Sequence, residues 1–217
     1  MRINGKYKLA NKIGGGSQGK WPLGDIFHAW NILSGTEVAV KLRHSKFSRA
    51  QVHECNIYKS LAGGPGIPHL YWFSMDYGFH AMVANHLVGR LPSLHWSDHK
   101  FNIDIVTGIG LQMITCLEFM HACNFIHHDI KLSNLLTGVN VNNTSSITIY
   151  LIDFRHAHAY RDHKTHRHVC FREHMPFIGT KPFPSVNAHT SVELSCRDDI
   201  KSLAYMLIYL LNGSLPW

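Results

Sequence analysis

Three polar side chains sit close together between apolar flanks in the stretch Phe125-Ile126-His127-His128-Asp129-Ile130-Lys131-Leu132-Ser133-Asn134-Leu135-Leu136. Asp129 is followed two residues on by Lys131 and five residues on by Asn134. This spacing makes poor core and an unsuitable surface turn. It suits a loop pinned at both ends by buried aliphatics, holding three polar heads over one reacting atom. Phosphoryl transfer has these needs: a carboxylate for the attacking hydroxyl, a cation for the γ-phosphate and an amide oxygen for a metal.

Such a loop needs further parts, and the chain supplies candidates in order. Tyr7-Lys8-Leu9-Ala10-Asn11-Lys12-Ile13 alternates like a strand and runs into Gly14, Gly16 and Gly19, which fit G-x-G-x-x-G. Glycines let backbone N–H groups approach phosphates without a Cβ in the way. A dinucleotide-binding reading needs a helix after the glycines. Pro22 and Gly24 deny one, so strand, glycines and strand is the expected order. Glu37-Val38-Ala39-Val40-Lys41-Leu42 is the next strand, and Lys41 could reach α/β-phosphates or stand exposed on an edge. Residues 50–61 read as a helix with Val52, Cys55, Tyr58 and Leu61 on one face. Glu54 is the one acid in it and the candidate partner for Lys41.

Gly63-Gly64-Pro65-Gly66-Ile67-Pro68 ends that helix, short strands are expected near 70–75 and 80–87, and Gly89-Arg90-Leu91-Pro92 reads as a hinge. Residues 102–122 form the clearest helix, with Val106, Ile109, Met113, Leu117 and Met120 as a core stripe. Gly108 and Gly110 each cost roughly 1 kcal/mol there unless they permit close packing. Residues 139–146 form a polar turn, and Ile147 to Ile152 is a strand that ends in Asp153, which would aim a carboxylate at a metal. The last helix begins at Arg197-Asp198-Asp199, and its run Leu203 to Leu211 implies burial on every side.

The 217 residues suffice for one domain of two lobes or two small domains. At 45% hydrophobic and 16% charged the chain should fold around a real core. A net charge of +7 favours anionic partners such as nucleotides or acidic substrates. The Lys and Arg are scattered, which argues against a nucleic-acid patch. Five cysteines without C-x-x-C spacing argue for a reducing compartment. No apolar signal core opens the chain, and the run 203–211 is too short to span a bilayer, so the expectation is a soluble cytoplasmic or nuclear protein. The histidines, 18 in all, cluster at His163, His166, His168 and His174 with Cys170. A zinc site is one reading, but Arg161, Lys164, Arg167 and Arg172 interleave and favour a basic, solvent-facing segment.

Assembled, these motifs resemble the eukaryotic protein-kinase fold, and within it the casein kinase I family. The marks run nearly end to end: Gly63-Gly64-Pro65-Gly66-Ile67-Pro68, Asn124-Phe125-Ile126-His127, Tyr160-Arg161-Asp162 with Thr165-His166 and Arg172-Glu173, Ser185-Val186-Asn187-Ala188-His189, Arg197-Asp198-Asp199 and Gly213-Ser214-Leu215-Pro216-Trp217. The resemblance implies an α+β, two-lobed fold: residues 1–88 as an N-lobe of antiparallel sheet plus one helix, and residues 89–217 as part of a mainly helical C-lobe. It implies ATP and Mg²⁺, with Ser/Thr side chains of acidic or phosphate-primed proteins as substrates. Gly14, Gly16 and Gly19 would cover the nucleotide, with Asn85 and Leu87 beside its base. Lys41, paired with Glu54, would hold the α/β-phosphates. Asp129 would take the hydroxyl's proton, Lys131 would steady the γ-phosphate, and Asn134 and Asp153 would hold the metal. Thr180 would link the substrate loop to the catalytic loop, and Asp199 would anchor that loop's backbone.

The chain also departs from the family pattern. His128 replaces the catalytic-loop Arg, and Arg155 replaces the Gly of D-F-G. Residues 20–24 look inserted, Ala84 sits where a larger gatekeeper is usual, and Asn85-His86 replace Glu-Leu. Pro182 stands in place of an Arg that helps bind primed substrates, beside Lys181. The resemblance further implies helices beyond Trp217, without which the last helix would expose an apolar patch open to a partner. These departures motivate a second reading, an impaired or truncated pseudokinase that serves as a nucleotide- or protein-binding module.

Overall fold

The structure is a computed structural model that describes residues 1–18, 21–45, 49–87, 89–90, 100–139 and 147–217. It divides into two compact units, one of residues 1–62 and 68–87, the other of residues 63–67 and 88–217.

The first unit is a six-stranded antiparallel sheet with one helix. Its strands are β1 (Arg2–Ile3), β2 (Tyr7–Gln18), β3 (Trp21–Asn31), β4 (Glu37–His44), β5 (Leu70–Asp76) and β6 (Phe79–Asn85), in the order β1-β2-β3-β4-β6-β5. Period-2 alternation decides which face is core. Val38, Val40 and Leu42 point to one face, where they pack with Ile3, Tyr7, Ala29, Ala81 and Val83. Lys41 belongs to the opposite parity and meets the helix α1 (Arg49–Ser60). Gln51 fixes that helix by donating to the carbonyls of Lys41 and His80, each at 3.1 Å. Cys55 and Tyr58 are buried as the helical stripe predicts, as is Leu61 just past the helix, whereas Val52 is only half-buried. Gln51 and Glu54 are buried instead, because this face meets strand backbone and a lysine rather than apolar core.

Glycine-loop residues Gly14 and Gly16 lie within β2, and Gly19 lies outside the described residues. The glycine that its position requires is Gly15. Its φ is +124°, and a Cβ there would stand 2.8 Å from the Gly24 carbonyl oxygen.

The second unit holds the remaining elements: β7 (Gly89–Arg90), α2 (Ile103–Ala122), β8 (Phe125–Ile126), β9 (Leu135–Val139), β10 (Ile147–Leu151), β11 (His158–Ala159), α3 (Val186–His189) and α4 (Cys196–Asn212). Strands β10, β9 and β7 form one small antiparallel sheet, and β8 and β11 another. Gly89 and Arg90, expected as hinge, are paired with Thr137 and Leu136, while Leu91 and Pro92 lie outside the described residues. Most of the expected turn at 139–146 also lies outside them.

Asn102 caps α2, its side chain accepting from the Asp104 and Ile105 amides at 2.7 and 3.1 Å. All five stripe residues of α2 are buried. A Cβ on Gly110 would come within 3.2 Å of Leu207, so this glycine permits the approach of α4, whereas one on Gly108 meets open space. By length and composition α2 could cross a bilayer, as the shorter run at 203–211 could not. Its buried stripe and its packing on α4 and β10 make it a core helix.

Helix α4 corrects the expectation of burial on every side. Asp199, Ser202, Leu203, Met206 and Leu210 form its buried face, while Ala204 and Ile208 are exposed. An i, i+3, i+4, i+7 face exists inside the apolar run, but unbroken hydrophobicity conceals it.

Gly64 gives a stability test. A Cβ there would sit 2.1 Å from the Phe119 ring of α2. Gly64→Ala should lower stability by about 1–3 kcal/mol through overpacking, measured by denaturant unfolding. Adding Phe119→Leu should recover part of the loss, because the smaller side chain makes room.

Candidate active site

The catalytic-loop residues converge around one carboxylate in the second unit. Asp129 is buried, and Asn134 donates from Nδ2 to its carbonyl at 2.9 Å and to its Oδ2 at 3.3 Å. Lys131 Nζ stands 2.6 Å from Asp129 Oδ2. Thr180 completes the ring: its hydroxyl donates to Asp129 Oδ1 at 2.8 Å and accepts from Lys131 Nζ at 2.7 Å. The spacing of two and five residues works because the chain makes a short 3₁₀ turn at Leu132–Asn134. That turn buries Leu132 and Asn134 and leaves Lys131 extended.

Two deeper residues hold this loop. His127 accepts from the Asp129 amide at Nδ1 and donates from Nε2 to the Ile152 carbonyl, at 3.2 and 3.1 Å. Asp199, at the start of α4, accepts from the backbone amides of His127 at 2.8 Å and His128 at 2.9 Å, and from His121 Nε2 at 3.0 Å. Asp198 beside it accepts from Ser185 and Asn187 side chains, so the Ser185-Val186-Asn187 triplet is tied to the same helix start.

In the first unit Lys41 Nζ donates to both carboxylate oxygens of Glu54, at 2.9 and 2.6 Å. Glu54 is 1% exposed, a buried acid rather than a solvated one. Asn85 spends its side chain locally: its oxygen accepts from the His69 amide and its nitrogen donates to the Tyr71 hydroxyl. Leu87 is half-buried.

The family model for the protein kinase domain matches residues 7–217. The chain belongs to the protein kinase family. Lys41, Glu54, Asp129, Asn134 and Asp153 of this kinase stand in the order that family uses for its phosphotransfer residues.

The departures have visible consequences in this kinase. Asp153 adopts a left-handed backbone with φ 69° and ψ 62°. Arg155, where D-F-G has glycine, grips the Asp153 carboxylate with two parallel bonds, Nε to Oδ1 at 2.5 Å and Nη2 to Oδ2 at 2.6 Å. A bidentate guanidinium thus occupies the carboxylate expected to hold a metal. His128 does not take over the role of the missing catalytic-loop arginine. Burial, with the neighbouring His158 ring centroid 4.0 Å away, lowers its pKa to about 3, so it is neutral. Neither of its ring nitrogens has a hydrogen-bond partner among the described residues.

The histidine-rich segment is organised by other groups. Asp162 accepts from the Lys164 and Thr165 amides and the Thr165 hydroxyl, and Arg161 pairs with His168 as a β-bridge. The site residue that most needed the structure to be understood is His121. Its signal was its position in the last turn of α2, facing the start of α4. The five cysteines form no disulfide, and burial pushes the Cys116 thiol up to about 12, which makes it inert.

Proposed function

We propose that this kinase transfers the γ-phosphoryl group of ATP to Ser or Thr hydroxyls of proteins, in the manner of casein kinase I. The observation that carries the reading is the ring Asp129–Lys131–Thr180 with Asn134 behind it. Asp129 is assigned to take the proton that a substrate hydroxyl gives up. The hydroxyl oxygen bonds to the γ-phosphorus, the bond to the β–γ bridging oxygen breaks, and the proton passes to Asp129. Lys131 offers a cation to the transferring group, which suits Ser/Thr chemistry, and Thr180 keeps its ammonium and the carboxylate aligned. Lys41, oriented by Glu54, is assigned to the α/β-phosphates.

The oxygen donors of Asn134 and Asp153 match a hard divalent cation. Asn134 spends its nitrogen on Asp129, which leaves its amide oxygen as a donor. Magnesium, when bound by these two residues, neutralises charge on the phosphates. Lys164 and Arg167 are exposed in the basic segment and suit acidic or phosphate-primed substrates.

One observation favours a second reading, nucleotide binding with little turnover: Arg155 already satisfies Asp153. Labelled-phosphate transfer to casein, run beside a thermal shift with ATP and Mg²⁺, separates the two. Asp129-dependent transfer supports the first reading, and a shift without transfer supports the second. Arg155→Gly should release Asp153. The Mg²⁺ concentration for half-maximal nucleotide binding should then fall about 10-fold, as expected from losing one part-buried charged pair worth about 1.5 kcal/mol. An unchanged Mg²⁺ dependence would mean that Arg155 does not compete with the metal.

A further inference from the structure

Away from the phosphotransfer residues, three potential metal ligands in the first unit meet on one face of the sheet. Antiparallel register puts them there. Glu37 opens β4 and pairs with Trp30 of β3, so His28, two residues from Trp30, lies diagonally across from Glu37 on the same face. On the other side of β4, Val38 pairs with Asn85, and one further step along that register brings His86 beside Glu37. His28 Nε2 and His86 Nδ1 each stand 3.1 Å from the same oxygen, Glu37 Oε2. The two imidazole centroids are 4.4 Å apart. All three ligand atoms lie within 4.8 Å of one another.

We propose that His28, Glu37 and His86 form a Zn²⁺-binding site. Tetrahedral zinc with bonds of about 2.0–2.1 Å places its ligand atoms about 3.3 Å apart, close to the two imidazole–carboxylate separations of 3.1 Å. Two imidazole nitrogens and one carboxylate oxygen suit zinc, with a fourth position left for water or another ligand. Both imidazoles are mostly buried and Glu37 is half exposed, which gives held ligands and a route for the ion. Without a metal, two imidazoles compete for one carboxylate oxygen. A cation at the centre gives each of the three groups its own bond. Two ligands come from β3 and β4 and the third directly follows β6, so the ion would tie the end of β6 to β3 and β4.

The test is titration of the full chain with Zn²⁺ by calorimetry, and with Co²⁺ by visible absorption. The expected result is one equivalent bound, a tetrahedral Co²⁺ spectrum, and a melting temperature that rises until one equivalent has been added. Glu37→Gln, at an exposed position, and the double variant His28→Gln/His86→Gln should each weaken binding by more than about 10-fold, since even an outer-shell change costs 10–100-fold. A triple alanine variant of His163, His166 and His168 should bind as the parent does. The absence of a one-equivalent site would overturn the proposal and leave an ion-pair cluster only. Binding that survives Glu37→Gln, or that disappears in the His163/His166/His168 variant, would overturn it as well. If the double histidine variant does not fold, Glu37→Gln decides alone.

Discussion

Asp129→Asn should lower the rate of phosphate transfer to casein by about 10²–10⁴-fold, the span that a positioned general base contributes. The substitution keeps the side chain's shape and one carbonyl oxygen, so the Thr180 hydroxyl, 2.8 Å away, retains an acceptor. It removes the negative charge that Lys131 meets at 2.6 Å, and with it the group proposed to take the proton. Asn134 keeps its bond to the residue-129 carbonyl, which does not depend on the side chain. Folding should therefore survive, and a melting temperature close to the parent's would show that the loss is chemical. The loss should fall on kcat more than on KM, since the group acts on the reacting proton rather than on binding. A variant that transfers phosphate as fast as the parent would remove Asp129 from the mechanism.

This part of the site is legible in the sequence alone. Asp129, Lys131 and Asn134 lie within six consecutive residues, so local spacing alone brings them together. Glu54 could be matched to Lys41 because no other acid stands in its helix. The stripe of α2 was legible because apolar and polar residues alternate at helical spacing. The buried face of α4 was not, because in an unbroken apolar run the period has nothing to contrast with. The grip of Arg155 on Asp153 was equally hidden: it depends on a left-handed turn at Asp153, a conformation uncommon for a residue other than glycine. The meeting of His28, Glu37 and His86 is a matter of register between three strands, and register is set by which face is buried across the whole sheet. Gly15 rather than Gly14 carries the special backbone angle because the bulges in the β2–β3 pairing shift the loop by a residue.

Asp199→Ala should destabilise the second unit by about 3–5 kcal/mol, the usual cost of removing one partner from a buried charged network. Three donors lose their acceptor at once: the amides of His127 and His128 and the ring of His121. The ring of His121 keeps its hydrogen bond to Cys196, whereas the two loop amides lose the carboxylate they share. Chemical unfolding measures the loss, and the pH dependence identifies its origin. Burial by itself would lower the pKa of His121, but its hydrogen bond and charge contact with Asp199, helped by Cys196, raise it to about 9. An unfolded histidine titrates near 6.5. The folded state therefore binds the extra proton between those values, and stability from this pair is full below about 6.5 and is lost as pH rises through about 9. The parent's melting temperature should fall over that interval more steeply than the variant's, because Asp199→Ala removes the group that holds the proton. Parallel pH profiles for the two proteins would assign the linkage to another residue. A variant as stable as the parent would mean that the carboxylate does not hold the catalytic loop in place.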